Sequence, residues 1–146
     1  MSLYQNELRT AITAVIRASR LTQKIFHSLQ QGNASSASTV TKLDKSPVTI
    51  ADYGSQAIVN AVLRSAFPHD PVVGEEDADE LRKNTELRDK VFKLVSDTLN
   101  DIPDSELSKE GGKVESDEDM LSLIDRGNSK GGSVGRICIP YFSVNG

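Results

Sequence analysis

The chain has 146 residues, the length of about one domain, and 17 Lys and Arg against 21 Asp and Glu give a net charge of −4. Hydrophobic residues make up 37% and aromatics 5%, with no Trp, so its core must be thin and aliphatic. An acidic chain without a basic block argues against nucleic-acid binding, a single cysteine, Cys138, argues against a disulfide framework, and no apolar run reaches the roughly 18–20 residues of a membrane span. The start, Met1-Ser2-Leu3-Tyr4-Gln5-Asn6-Glu7, has neither the basic nor the apolar region of a signal peptide, so a soluble cytoplasmic protein is expected.

Residues 3–31 read as an amphipathic helix. Leu8, Ile12, Val15, Ile16, Ala18, Ile25 and Leu29 recur at spacings of three and four, and Arg9, Arg17, Arg20 and Lys24 largely take the opposite face. Gly32-Asn33 stops it. Residues 33–41 form a Ser/Ala/Thr-rich loop with a short strand at Ser38–Thr41. Lys42 and Lys45 read as a solvated strand edge. Pro47 biases Ser46 towards extended geometry, and Val48-Thr49-Ile50 is β-branched, which suits a short strand. A second helix then runs from Asp52 to Phe67, with Ala57, Ile58, Ala61, Val62 and Ala66 as its apolar stripe.

Asp70-Pro71 marks a turn and Val72-Val73 a minimal buried strand, followed at once by Gly74-Glu75-Glu76-Asp77. A third helix is expected over 80–99, with Leu87, Val91, Leu94 and Val95 on one face. Residues 101–115 read as a polar surface insertion. Ser116 caps a short fourth helix whose acidic first turn suits the helix dipole, and Gly127 closes it. The glycines from Gly127 to Gly135 lack P-loop spacing, and the last ten residues are apolar and β-prone.

Chemistry can sit at two places. Asp52 reads either as a helix N-cap or as a cation ligand, and Glu75-Glu76 either as a solvated acidic loop or as a pair of oxygen ligands at the end of a buried strand. Mg²⁺ takes oxygen donors, commonly one or two carboxylates together with substrate phosphate. His27 and His69 lie in polar surroundings with no Cys/His cluster, and Cys138 has no neighbouring histidine, so neither zinc chemistry nor a thiol nucleophile is expected.

Ser46-Pro47-Val48-Thr49-Ile50-Ala51-Asp52-Tyr53-Gly54-Ser55-Gln56, then Phe67-Pro68, Val72-Val73-Gly74-Glu75-Glu76, and Ile124-Asp125-Arg126-Gly127-Asn128 with Gly131-Gly132 and Gly135-Arg136, resemble the N-terminal part of the 3′(2′),5′-bisphosphate nucleotidases. These belong to the inositol-monophosphatase-like, magnesium-dependent phosphatases. The resemblance implies an α/β fold: the N-terminal portion of an alternating α-β-α layered architecture, helix-rich with few short strands. It implies Mg²⁺ as cofactor, with Glu75 and Glu76 on the metal and Asp52 helping to activate the attacking water. It also implies 3′-phosphoadenosine 5′-phosphate or its phosphosulfate as substrate, with AMP as product from the first, and sensitivity to lithium and sodium.

In the family the Gly-Arg step leads into a strand ending D-P-I-D-G-T, which supplies further metal ligands. Here Gly135-Arg136 leads into Ile137-Cys138-Ile139-Pro140-Tyr141-Phe142. Residues 1–136 therefore read as the N-terminal part of a phosphatase domain, and 137–146 as a divergent tail of the kind truncation or splicing produces. Helices of such a part would pack on a sheet lying mostly beyond residue 146 and would leave apolar faces exposed. An inositol-phosphate phosphatase and an inactive, truncated interaction fragment are the alternative expectations.

Overall fold

The computed structural model describes residues 4–32, 47–101, 111–130 and, for their backbone, 137–138. The elements in chain order are α1 (Gln5–Gly32), α2 (Pro47–Ala66), β1 (Val72–Val73), α3 (Asp79–Lys83), α4 (Thr85–Asn100), α5 (Asp117–Asp125) and β2 (Ile137–Cys138). The expected strand at Ser38–Thr41, Lys42 and Lys45, and the tail after Cys138 lie outside the described residues. β1 and β2 pair in parallel, Val72 with Ile137 and Val73 with Cys138. The arrangement is helix-rich with minimal strands, as expected of an α/β fragment.

The helix α2 is the centre of the core. It packs against α1, α4 and α5, and Ile50, Tyr53, Ala57, Ile58, Ala61 and Val62 are all buried. A helix apolar on most sides belongs inside, and the apolar stripe expected at Ala57–Val62 lies there. Leu21 of α1, Leu81 of α3, Val91 and Val95 of α4, and Met120 and Ile124 of α5 complete the cluster.

Three local expectations change. Val48-Thr49-Ile50 is helical rather than extended. Proline's preset φ and missing N–H suit the first helical position, so Pro47 opens α2. The helical repeat also carries Ile50 and Tyr53, three apart, into the core together, while Val48 stays exposed. Asp52 is thus the sixth residue of α2, too far inside to be its N-cap. The single helix expected over 80–99 is two: α3 ends at Asn84, whose backbone is extended (φ −117°, ψ 90°) and whose side chain accepts from Leu87 N at the start of α4. At 3.0 Å this is an ordinary N-cap bond. The Ser116 cap is present as expected, its hydroxyl accepting from Asp119 N at 3.1 Å.

The third change concerns α1. Its apolar residues were expected to face the core, with Arg17 opposite. Instead Leu8 (60%), Ile12 (45%) and Val15 (63%) are exposed, as is Ile16, while Thr10, Thr13, Ala14, Arg17 and Leu21 are buried. Spacings of three and four place these buried residues on one stripe, and that stripe meets α2. The contact is close: a Cβ on Gly54 would stand 2.8 Å from Leu21 Cδ1. Small side chains permit such an approach, and the hydroxyls of Thr10 and Thr13 are satisfied by the carbonyls of Asn6 and Arg9 one turn earlier. The Arg17 guanidinium reaches Gly112 O at 3.5 Å, and burial followed by the nearby Arg20 lowers its pKa. Periodicity reveals an apolar stripe but not which stripe faces the neighbour. The expectation of exposed apolar faces is met on this helix.

Two substitutions read out the orientation of α1. Leu21→Ala should cost about 2–4 kcal/mol in urea unfolding, the range for truncating a buried leucine. Val15→Ser should stay within about 0.5 kcal/mol, as exposed positions do. The reverse ranking would mean that α1 packs through its apolar stripe.

Candidate functional site

The acidic loop after β1 is held from three sides. Val73 forms an antiparallel bridge with Asn128, and Gly74 N donates to Gly127 O at 2.8 Å. Ala78 N donates to Asp125 Oδ1 at 2.9 Å, and Asp125 also pairs with Arg82. From the side of α2, the amide of Gln56 bonds the backbone of Glu75 and Glu76. Arg126 ties the same segment to the preceding turn, donating to Phe67 O at 2.7 Å and Asp70 O at 3.0 Å. The segment Ile124–Asn128, noted in the sequence only for its resemblance, is therefore the brace of the acidic loop.

This bracing sets Glu75 and Glu76 beside the N-terminal half of α2. Asp52 and Glu75 are exposed and Glu76 is half-buried. Burial raises the pKa of Glu76 first, and the negative charges of Asp52, Glu75, Asp77 and Glu80 raise it further. The pKa of Asp52 is also raised, by partial desolvation of its carboxyl although the residue as a whole is exposed. Tyr53, one residue along α2, donates its hydroxyl to Glu80 Oε2 at 3.1 Å; burial, then that bond, push its own pKa upward. The fold has thus gathered four carboxylates within electrostatic reach of Glu76.

Hard carboxylate oxygens with unbalanced charge suit Mg²⁺ as part of a coordination shell that substrate phosphate and water complete. They do not make a closed cage: among the described residues, no three His, Cys, Asp or Glu are placed to hold a metal ion together. Of the residues singled out in the sequence, the electrostatics link Asp52, Glu75 and Glu76 through Glu76. His27 and His69 take no part in such a group. Sequence reasoning missed Gln56, Asp125 and Arg126, whose roles depend on backbone groups 19 or more positions away. The glycines at 74 and 127 were the only local sign that something approaches this loop closely.

Homologues of this chain are 3′(2′),5′-bisphosphate nucleotidases. It is 48% identical over 134 residues to the 3′(2′),5′-bisphosphate nucleotidase of Schizosaccharomyces pombe, a match covering 92% of this chain and 37% of that protein. It is 44% identical over 135 residues to the protein of the same name from Emericella nidulans, covering 92% of this chain and 36% of that one. With 3′(2′),5′-bisphosphate nucleotidase 1 of Arabidopsis thaliana it shares 42% identity over 137 residues, 91% of this chain and 36% of that protein. The chain thus spans little more than a third of the length of the curated relatives it matches. No protein-family profile matches it. The resemblance read from the SPVT-x-x-D and V-V-G-E-E segments is borne out. Among the described residues, no helix is long and apolar enough to cross a membrane.

The charge around Glu76 makes stability depend on pH at this loop. A carboxyl whose pKa is raised by folding favours the fold when protonated, and that contribution is lost as pH rises through its folded pKa. Glu76→Gln should therefore raise the melting temperature at pH 7. Below the ordinary glutamate range both side chains are neutral, so the difference should vanish at pH 3.5. Thermal melts at the two pH values check this; an equal or opposite effect at pH 7 would contradict it.

Proposed function

We propose that this chain is part of a magnesium-dependent phosphomonoester hydrolase that removes the 3′-phosphate of 3′-phosphoadenosine 5′-phosphate and leaves AMP. Similarity to bisphosphate nucleotidases over 92% of the chain carries the reading. The acidic loop beside α2 supports it, because hydrolysis of a phosphate ester by water needs a charged oxygen site and a proton acceptor.

In this reading Glu75 and Glu76 would hold Mg²⁺. The ion, when bound, neutralises phosphate charge and lowers the pKa of water. Asp52 stands on the rigid second turn of α2 and accepts the proton of the attacking water. Water adds to phosphorus as its proton passes to Asp52, the bond from phosphorus to the ribose 3′-oxygen breaks, that oxygen takes a proton from solvent water, and Asp52 returns its proton to solvent, leaving AMP and inorganic phosphate. No covalent enzyme intermediate is needed, which fits a site built of carboxylates.

One observation favours a second reading, a non-catalytic fragment that associates with a longer copy. It is the absence, among the described residues, of any three-residue cluster able to hold a metal ion. Phosphate release from 3′-phosphoadenosine 5′-phosphate with added Mg²⁺ separates the two. If the hydrolase reading holds, the purified chain releases phosphate above background and EDTA abolishes it. Asp52→Asn then lowers the rate by about 100-fold or more, the usual size of a general-base contribution, and Glu75→Gln weakens the dependence on Mg²⁺. Release at background level supports the fragment. Preferential hydrolysis of inositol 1-phosphate would reassign the substrate.

A further inference from the structure

Gln56 is 4% exposed, in the middle of an apolar helix surface. A buried amide is costly unless every donor and acceptor is used, and here each is. Nε2 donates to Glu76 O at 2.6 Å and to Ile124 O at 2.9 Å, while Oε1 accepts from Glu75 N at 3.2 Å and Glu76 N at 3.1 Å. The two N–H groups and two lone pairs of a primary amide are thereby accounted for. All the partners are main-chain groups, and they come from two segments: the acidic loop and the last turn of α5.

The surrounding backbone is shaped around this side chain. A Cβ on Gly74 would stand 2.5 Å from Gln56 Oε1, and one on Gly127 would stand 2.7 Å from Gln56 Nε2. Both glycines leave the room the amide needs, and they bond to each other through Gly74 N and Gly127 O. A side chain present only to fill space would need neither the matched polar groups nor the two glycines.

We propose that Gln56 is a positioning residue for the hydrolytic site, fixing the backbone of Glu75 and Glu76 so that their carboxylates stand beside Asp52 on the same helix. The assignment of a site rests on the function proposed above, whereas the clamp on the loop does not. Gln56 and Asp52 are four residues apart on α2, so the clamp and the proton acceptor share one rigid element. The clamp opposes the mutual repulsion of the acidic side chains, because it grips their main chain and leaves the carboxylates free for a cation.

Amide hydrogen exchange and Mn²⁺ line broadening, both followed by NMR on the full chain, test the proposal. In the wild type the amides of Glu75 and Glu76 should be protected from exchange, and Mn²⁺ should broaden resonances of Asp52, Glu75 and Glu76 selectively. Gln56→Met keeps the side chain's length but none of its four bonds. It should speed exchange at those two amides by about tenfold or more, of the order of losing one hydrogen bond, and leave Val91 and Val95 protected. The selective Mn²⁺ broadening should be lost at concentrations that suffice for the wild type.

Unprotected amides in the wild type would overturn the proposal without any variant. So would unchanged exchange in Gln56→Met, or faster exchange with the Mn²⁺ pattern intact, since Gln56 would then only pack. If Mn²⁺ broadens nothing in the wild type, the metal-dependent function fails, and with it the link from clamp to site. Exchange at Glu75 and Glu76 then shows separately whether the clamp itself stands.

Discussion

The buried amide of Gln56 joins parts of this protein that the hydrophobic effect alone would not hold in register. Apolar burial brings α2, α4 and α5 together but is non-directional. It does not specify where a loop of successive acidic residues should run. Main-chain bonds to Glu75, Glu76 and Ile124 do, because hydrogen bonds have narrow geometry and are expensive to leave unmade in a core. Each bond contributes only about 1 kcal/mol net. Their value lies in the alternatives they exclude, since any slip of the loop strands a buried donor or acceptor. Asp125 and Arg126 extend the same principle from the other side, gripping Ala78, Phe67 and Asp70 through main-chain atoms.

The electrostatics follow from that bracing. Acidic side chains on a free loop would spread into solvent, where salt screens their repulsion. Here the main chain is pinned, so Glu76 is half-buried beside Asp52, Glu75, Asp77 and Glu80, and burial first, then those charges, raise its pKa. At the braces the charge is paired instead: Arg82 is drawn to Asp125, and Arg64 pairs with Asp119, whose carboxyl it holds below the ordinary aspartate range.

The first helix shows how a correct reading of a pattern can give the wrong surface. Its apolar residues recur with helical spacing, and the helix is present. Yet the stripe turned towards α2 is made of threonine, alanine, arginine and leucine, while Leu8, Ile12 and Val15 face outward. Tight approach to Gly54 favours small groups, and threonine hydroxyls bonded within their own helix lose the polarity that would oppose burial. The exposed stripe leaves large apolar side chains facing solvent.

Local order was largely present in the chain itself. Helical periodicity, the Ser116 cap, the Val72-Val73 strand and the carboxylates at positions 52, 75 and 76 depend on neighbours within a few residues, and such signals are legible one segment at a time. The resemblance to bisphosphate nucleotidases was legible too, because it rests on short ordered motifs. Tertiary structure alone decided that Pro47 opens a helix, that α1 turns its polar stripe inward, and that Gln56 rather than another polar residue grips the loop. The last two outcomes depend on partners far along the chain: Leu21 against Gly54, and Gln56 against the main chain at 75, 76 and 124. A linear pattern carries no record of which distant backbone groups will need a hydrogen bond once the core has closed.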